Sequence, residues 1–245
     1  MPSLETATKI YYDEGIVQLT RKSIWFSYNN YLRTLLPKRT VKYNGVLVNA
    51  GRLADSFIPW QSTDIPDYEG GLMRGIREYV DEDDTVVVVG GGWGVSTVVA
   101  ARYAGSSGRV HTFEGAKEAV RMVQETVDKN QVGDQVSVQH AIVAQANSLR
   151  GNADGARIMH PSDLPECDVL VLDCEGAELD VIEEMDIQPK ELIVETHGMF
   201  DATEQKVRNL LKIAGYKPVE RVVAEERQRE KCEKNGIHVL YAEFN

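Results

Sequence analysis

Thr85-Val86-Val87-Val88-Val89-Gly90-Gly91-Gly92-Trp93-Gly94-Val95-Ser96-Thr97 is the stretch on which the fold turns. Four consecutive valines suit a strand buried on both faces, as in a parallel sheet. The glycines that follow permit a sharp turn and a bare backbone that a ligand can approach. Val95 to Tyr103 has the composition of a helix, whose first turn presents N–H groups without intrahelical partners. Strand, glycine loop and helix in this order make a site for a nucleotide-type cofactor.

The chain beyond this stretch alternates in the same way. Strands are predicted at Arg109 to Glu114, Gln135 to His140, Asp168 to Leu172 and Leu192 to Thr196, with helices at Ala116 to Asn130, Ala177 to Met185 and Ala202 to Ala214. Tyr216 to Val223 and His238 to Phe244 read as closing strands, joined by the charged connection Glu225 to Asn235 and without a helix between them, so the last strand enters antiparallel. The expected fold is α/β: a doubly wound, mostly parallel, seven-stranded Rossmann-like sheet with an antiparallel last strand. Ahead of it come an amphipathic helix at Thr20 to Leu36, with Ile24, Tyr28, Tyr31 and Leu35 on one stripe, a hairpin around Asn44-Gly45, and a lead-in helix at Glu69 to Val80. This divides the chain into an extension, residues 1–80, and a cofactor-binding domain, residues 81–245.

Net charge is −11 over 245 residues, and it is unevenly placed. Gly15 to Ala54 has no acidic residue but carries Arg21, Lys22, Arg33, Lys38, Arg39, Lys42 and Arg52. The acidic remainder disfavours a nucleic-acid substrate. Trp25, Phe26, Tyr28 and Tyr31 interleave with the basic residues; packing within the protein is favoured over docking on an anionic membrane surface. Homo-oligomerisation is left open. No signal-peptide pattern or membrane-length apolar run occurs, and Cys167, Cys174 and Cys232 show no metal spacing, so a cytoplasmic protein with reduced thiols is expected.

Glycine spacing selects among cofactors. A dinucleotide fingerprint requires a third glycine at position 95, which is Val95; the spaced glycines are Gly90, Gly92 and Gly94. That G-x-G-x-G spacing resembles the first motif of class I S-adenosylmethionine (SAM) methyltransferases. Gly90, Gly92, Trp93 and Gly94 are thereby candidate cofactor contacts. Glu114, at the end of the second predicted strand, can accept hydrogen bonds from ribose hydroxyls. Ala141 and Ile142, after the third strand, are placed by fold analogy against the adenine ring.

Two further clusters lie at predicted strand ends. Asp173 and Glu175 follow Val169-Leu170-Val171-Leu172 and share one side if the chain stays extended. Glu195 and His197 follow the next strand, and His197, neutral near physiological pH, is a candidate base. With Val86 to Gly94, Val110 to Glu114, Leu164 to Glu178 and Ile193 to His197, the chain resembles the FkbM-type SAM-dependent methyltransferases over roughly residues 70–215. The Asp173-Cys174-Glu175-Gly176-Ala177-Glu178 segment is the most specific part of the match. Position 88, acidic in most enzymes of the class, is valine here.

The resemblance implies SAM as cofactor and O-methylation of a hydroxyl on a sugar, glycan or secondary metabolite. The oxygen would attack the methyl group in line, with His197 or Asp173 removing its proton, Asp173 also touching the cofactor, and Glu175 and Glu195 orienting the acceptor or His197. No metal is expected, because the adjacent Asp-Asp or Asp-Asn pair of metal-dependent O-methyltransferases is missing. The competing readings are an NAD-linked oxidoreductase and a non-catalytic binding module built on the same fold.

Overall fold

The computed structural model describes residues 35–52, 55, 63–144 and 152–245, with single positions at 16, 20, 23, 24, 27, 28 and 31. The chain divides into two compact units, residues 1–41 with 49–63, and residues 42–48 with 64–245. A two-stranded sheet pairs β1 (Lys38–Tyr43) with β2 (Val46–Arg52). Its turn is the predicted one. Asn44 and Gly45 both have positive φ, at 51° and 82°, as a two-residue hairpin loop of right-handed twist demands.

The larger unit is built on eight strands in the order β6-β5-β4-β3-β7-β8-β10-β9. These are β3 (Thr85–Val89), β4 (Arg109–Glu114), β5 (Val136–Val143), β6 (Arg157–Met159), β7 (Val169–Leu172), β8 (Glu191–Glu195), β9 (Tyr216–Val223) and β10 (His238–Phe244). Strands β3 to β8 run parallel, and β10 inserts antiparallel between β8 and β9. The mostly parallel sheet with an antiparallel last strand is as expected; the edge strand β6 makes eight strands where seven were predicted. β6 is three residues long, too short to stand out as an apolar run.

The helices are α1 (Gly70–Tyr79), α2 (Val95–Ala104), α3 (Lys117–Lys129), α4 (Glu178–Glu184), α5 (Glu204–Ile213) and α6 (Arg229–Asn235). Helix α6 occupies the connection from which a helix was thought absent. It buries only Cys232, so it has no apolar periodicity to read. Arg229 instead pairs with Glu226 and Glu233, and Gly236, at φ 64°, terminates the helix in the left-handed conformation.

The core lies along the middle of the sheet. Val86 to Val89, Val169 to Leu172 and Leu192 to Val194 are buried on both faces, which is why these strands read as unbroken apolar runs. Helix α1 covers β8 and β10, where the Tyr241 hydroxyl donates to the Gly71 carbonyl at 2.6 Å. At the start of β3, Asp168 accepts from the Thr85 N–H at 2.9 Å and pairs with Lys190 at 2.7 Å, tying the entries of β3, β7 and β8 together.

Much of the predicted Thr20–Leu36 helix, including Arg21, Lys22, Trp25, Phe26 and Arg33, lies outside the described residues. Of its expected stripe only Tyr28 is buried, donating its hydroxyl to Asp55 at 2.8 Å; Ile24, Tyr31 and Leu35 are exposed. The packed apolar face expected there is therefore not continuous. Among the described residues, no helix is long and apolar enough to cross a membrane.

Candidate functional site

A cleft of about 260 Å³ opens at the carboxyl ends of β3, β4, β5 and β7. Gly90, Gly92, Trp93, Glu114, Ala141, Ile142, Asp173 and Glu175 all line it, as do Tyr68, Glu69, Phe113 and Met122. This is where doubly wound sheets hold ligands, because the loops leaving adjacent strand ends splay to opposite faces.

The glycine loop is shaped by contacts with its neighbours. Gly90, at φ +95°, lies so close to β7 that a Cβ would sit 1.8 Å from the carbonyl oxygen of Asp173. Gly94 does not line the cleft. It caps α2 at φ +79°, and a Cβ there would come within 3.0 Å of the α3 backbone at Val123, so its smallness serves the packing of α2 on α3. Position 88 is dry: Val88 is fully buried between Thr112 and Val171 in the sheet.

The carboxylate that governs the loop comes from Glu114. Its Oε2 accepts from the backbone N–H groups of Gly91 and Gly92, at 2.9 and 3.0 Å, and its Oε1 accepts from Ala116 at 2.8 Å. An ionised carboxylate can accept about four hydrogen bonds, so the side chain holds the loop and retains capacity toward the cleft. Ala141, Ile142, Val143, Phe113 and Met122 form an apolar wall suited to an aromatic ring. On the other side Tyr68 stacks on Tyr43, with ring centroids 4.7 Å apart, and Tyr43 meets the edge of Trp93. Burial first, and then the neighbouring Glu69, push the Tyr68 phenol well above its ordinary pKa, so it stays a neutral donor.

Asp173 and Glu175 both reach the cleft, but the chain between them is not extended as expected. Glu175 adopts φ +53° and Gly176 φ +109°, turning the backbone sharply into α4. The turn closes on Glu178, whose fully buried carboxylate accepts from Cys174 N–H at 3.1 Å and Gly176 N–H at 2.8 Å. Glu178 Oε1 also lies 2.9 Å from His197 Nδ1.

Glu195 and His197 are not on the cleft wall; they lie behind Asp173. His197 Nε2 is 3.5 Å from Asp173 Oδ1 and 3.6 Å from Glu195 Oε1. Burial alone would lower the imidazole pKa, but the bond to Glu178 and the charges of Asp173, Glu178 and Glu175 outweigh it and raise the pKa above its usual value. The direction of this shift runs against the neutral imidazole expected of the base. The Glu195 carboxyl is pushed well above the ordinary carboxylate range by burial and by the charges of Asp173, Glu69 and Glu178.

Tyr68, Glu69 and Glu178 belong to the site without having been singled out for it. Tyr68 and Glu69 arrive from the segment before the sheet and carry no motif. The spacing of Glu178 within the Asp173-to-Glu178 cluster was the available signal.

No protein-family model matches this chain, and no curated protein matches it in sequence. Solved structures do. A precorrin-6y methyltransferase from Geobacter metallireducens superposes with a TM-score of 0.52 at 14% identity, covering 77% of this chain and 94% of its own. A ribosomal-protein methylase from Lactobacillus delbrueckii gives 0.52 at 14% identity, covering 74% and 80%. The fold is that of the class I, Rossmann-like methyltransferases.

Proposed function

We propose that this chain is a SAM-dependent O-methyltransferase of the FkbM kind, acting on a hydroxyl of a small molecule or glycan. The observation that carries the reading is the Glu114 carboxylate, clamping the glycine loop while it faces a cleft with an apolar wall opposite an acidic one. The residues fit the group. Glu114 would take the ribose hydroxyls, Ala141, Ile142 and Met122 the adenine ring, and Gly90, Gly92, Trp93 and Asp173 the remainder. SAM supplies a methyl group on a sulfonium centre, which is electrophilic toward oxygen.

The chain's own residues position the acceptor and take its proton. Asp173 is the titratable group shared by the cleft and the buried cluster, so the acceptor hydroxyl gives its proton to an Asp173 carboxylate oxygen. His197, bonded through Nδ1 to Glu178, backs that carboxylate from behind, with Glu195 beside its Nε2. Glu175, fixed on the wall by its left-handed turn, orients the acceptor. Holding the reactants in near-attack geometry supplies most of the rate.

The cleft also favours some partners over others. Among the described residues its lining carries Glu69, Glu114, Asp173 and Glu175 and no lysine or arginine, which disfavours polyanions and the pyrophosphate of NAD. The three cysteines are free thiols, in keeping with a cytoplasmic setting. Calorimetric titration with SAM, S-adenosylhomocysteine and NAD tests the reading. SAM and S-adenosylhomocysteine binding with one site each, and none for NAD, is expected; NAD binding without SAM binding would overturn it.

A further inference from the structure

We propose that Asp173, Glu195 and His197 form a binding site for a divalent transition-metal ion. One donor atom from each lies within 4.8 Å of the other two. The edges that meet at His197 Nε2 measure 3.5 Å to Asp173 Oδ1 and 3.6 Å to Glu195 Oε1. A tetrahedral ion bound at roughly 2.0–2.1 Å sets its ligands about 3.4 Å apart, so the two edges at His197 already match that spacing. One imidazole and two carboxylates with a fourth position left for water or a hydroxyl is a donor set that suits such ions.

Two independent observations point to a ligand there. Glu195 is 7% exposed, and its Oε2 is buried without a hydrogen-bond partner. A buried carboxyl oxygen in that condition is an unmet polar group that a cation or a donor would satisfy. The second is the support behind the histidine. Metal-bound imidazoles donate their remote N–H to a carboxylate, which fixes the ring and its tautomer. Here His197 Nδ1 faces Glu178 Oε1 at 2.9 Å, and Glu178 is itself locked by the N–H groups of Cys174 and Gly176. Asp173 then links the ion to the cleft. An ion at this point would acidify a coordinated hydroxyl or water, easing the proton loss assigned to Asp173. That role rests on the methyltransferase reading; the binding site does not.

The test uses the full chain freed of metal with a chelator, titrated with ZnCl₂ and with MnCl₂ and no SAM present. One equivalent of ion should bind, and Glu195→Gln and Asp173→Asn should each weaken it at least tenfold. Glu178→Gln, which leaves all three ligands in place, should weaken it by about 10- to 100-fold. The unmutated chain loaded with Co²⁺ should show the visible absorption of a low-coordinate nitrogen/oxygen site, so the proposal is tested even if a variant fails to fold. Absence of stoichiometric binding, or binding unchanged in folded Glu195→Gln and Asp173→Asn, would overturn it. SAM titration in chelator separates the two readings: ion binding without SAM binding removes the cofactor reading alone, and the converse removes the ion alone.

Discussion

Glu114 Oε2 accepts the backbone N–H of Gly91 at 2.9 Å, so a side chain at the end of β4 dictates the shape of the loop leaving β3. Glutamine is not equivalent there, because its amide nitrogen would face an N–H group on one side or the other. Glu114→Gln should weaken SAM binding by roughly 30-fold, about 2 kcal/mol, comparable with losing a hydrogen bond to a charged group. Glu118→Gln, at an exposed position in the first turn of α3, is the matched control and should bind normally. Calorimetry on both variants decides it, and equal affinities would remove the clamp from the account.

Gly90→Ala should be strongly destabilising. The new methyl group would meet the Asp173 carbonyl, a backbone atom that cannot step aside, at a φ that alanine resists. A loss of more than about 2 kcal/mol in urea unfolding is expected, in line with other substitutions that force backbone strain in a core. Gly92→Ala, whose added carbon would meet nothing within 4 Å, carries only the positive-φ cost and should lose less.

Glu191 predicts a pH dependence. Burial, with Glu243 opposite it in the sheet and Asp81 and Asp84 nearby, raises its carboxyl to about 7, and its Oε2 is buried without a partner. The folded pKa lies above the unfolded one, so between about pH 4.5 and 7 the unfolded chain sheds this proton first and stability falls as pH rises. The side chain is only partly buried, and solvent screening cuts the nominal linkage to about 1 kcal/mol. Glu191→Gln should therefore stabilise the protein by about that amount at pH 8 and leave it nearly unchanged at pH 4.5 in urea titrations. A gain of the same size at both pH values would show that charge is not the cause.

Tyr241→Phe removes the hydroxyl that donates to the Gly71 carbonyl and so deletes a buried hydrogen bond between β10 and α1. Thermal and urea unfolding should show a loss of about 1 kcal/mol.

The parts of this molecule legible in the sequence are those with local periodicity. The valine run, the Asn44-Gly45 turn and the closing strands Tyr216–Val223 and His238–Phe244 appear where their patterns put them. Helix α6 was invisible because ion pairs, not an apolar face, hold it. The glycine loop, Glu114, Asp173 and Glu175 were placed in the sequence as residues at or beyond strand ends, and they line the cleft. The chemistry behind the cleft was not legible, since His197 changes character only when Glu178, 19 positions earlier, is brought against its ring. The Asp173, Glu195 and His197 grouping likewise has no linear signature: two strand ends supply it, and a search for adjacent acids passes over it.

The hydrogen-bonded register of β7 on β8 pairs Leu172 with Val194, one residue short of Asp173 and Glu195. The alignment of the polar cluster is therefore set by a dry aliphatic ladder that never touches a ligand. Slipping that ladder by one residue would turn every following side chain to the opposite face and dissolve the cluster at once. Conservative changes such as Val171→Ala or Ile193→Val are consequently alignment mutations as much as packing ones, and catalytic output is the more sensitive gauge of them than melting temperature.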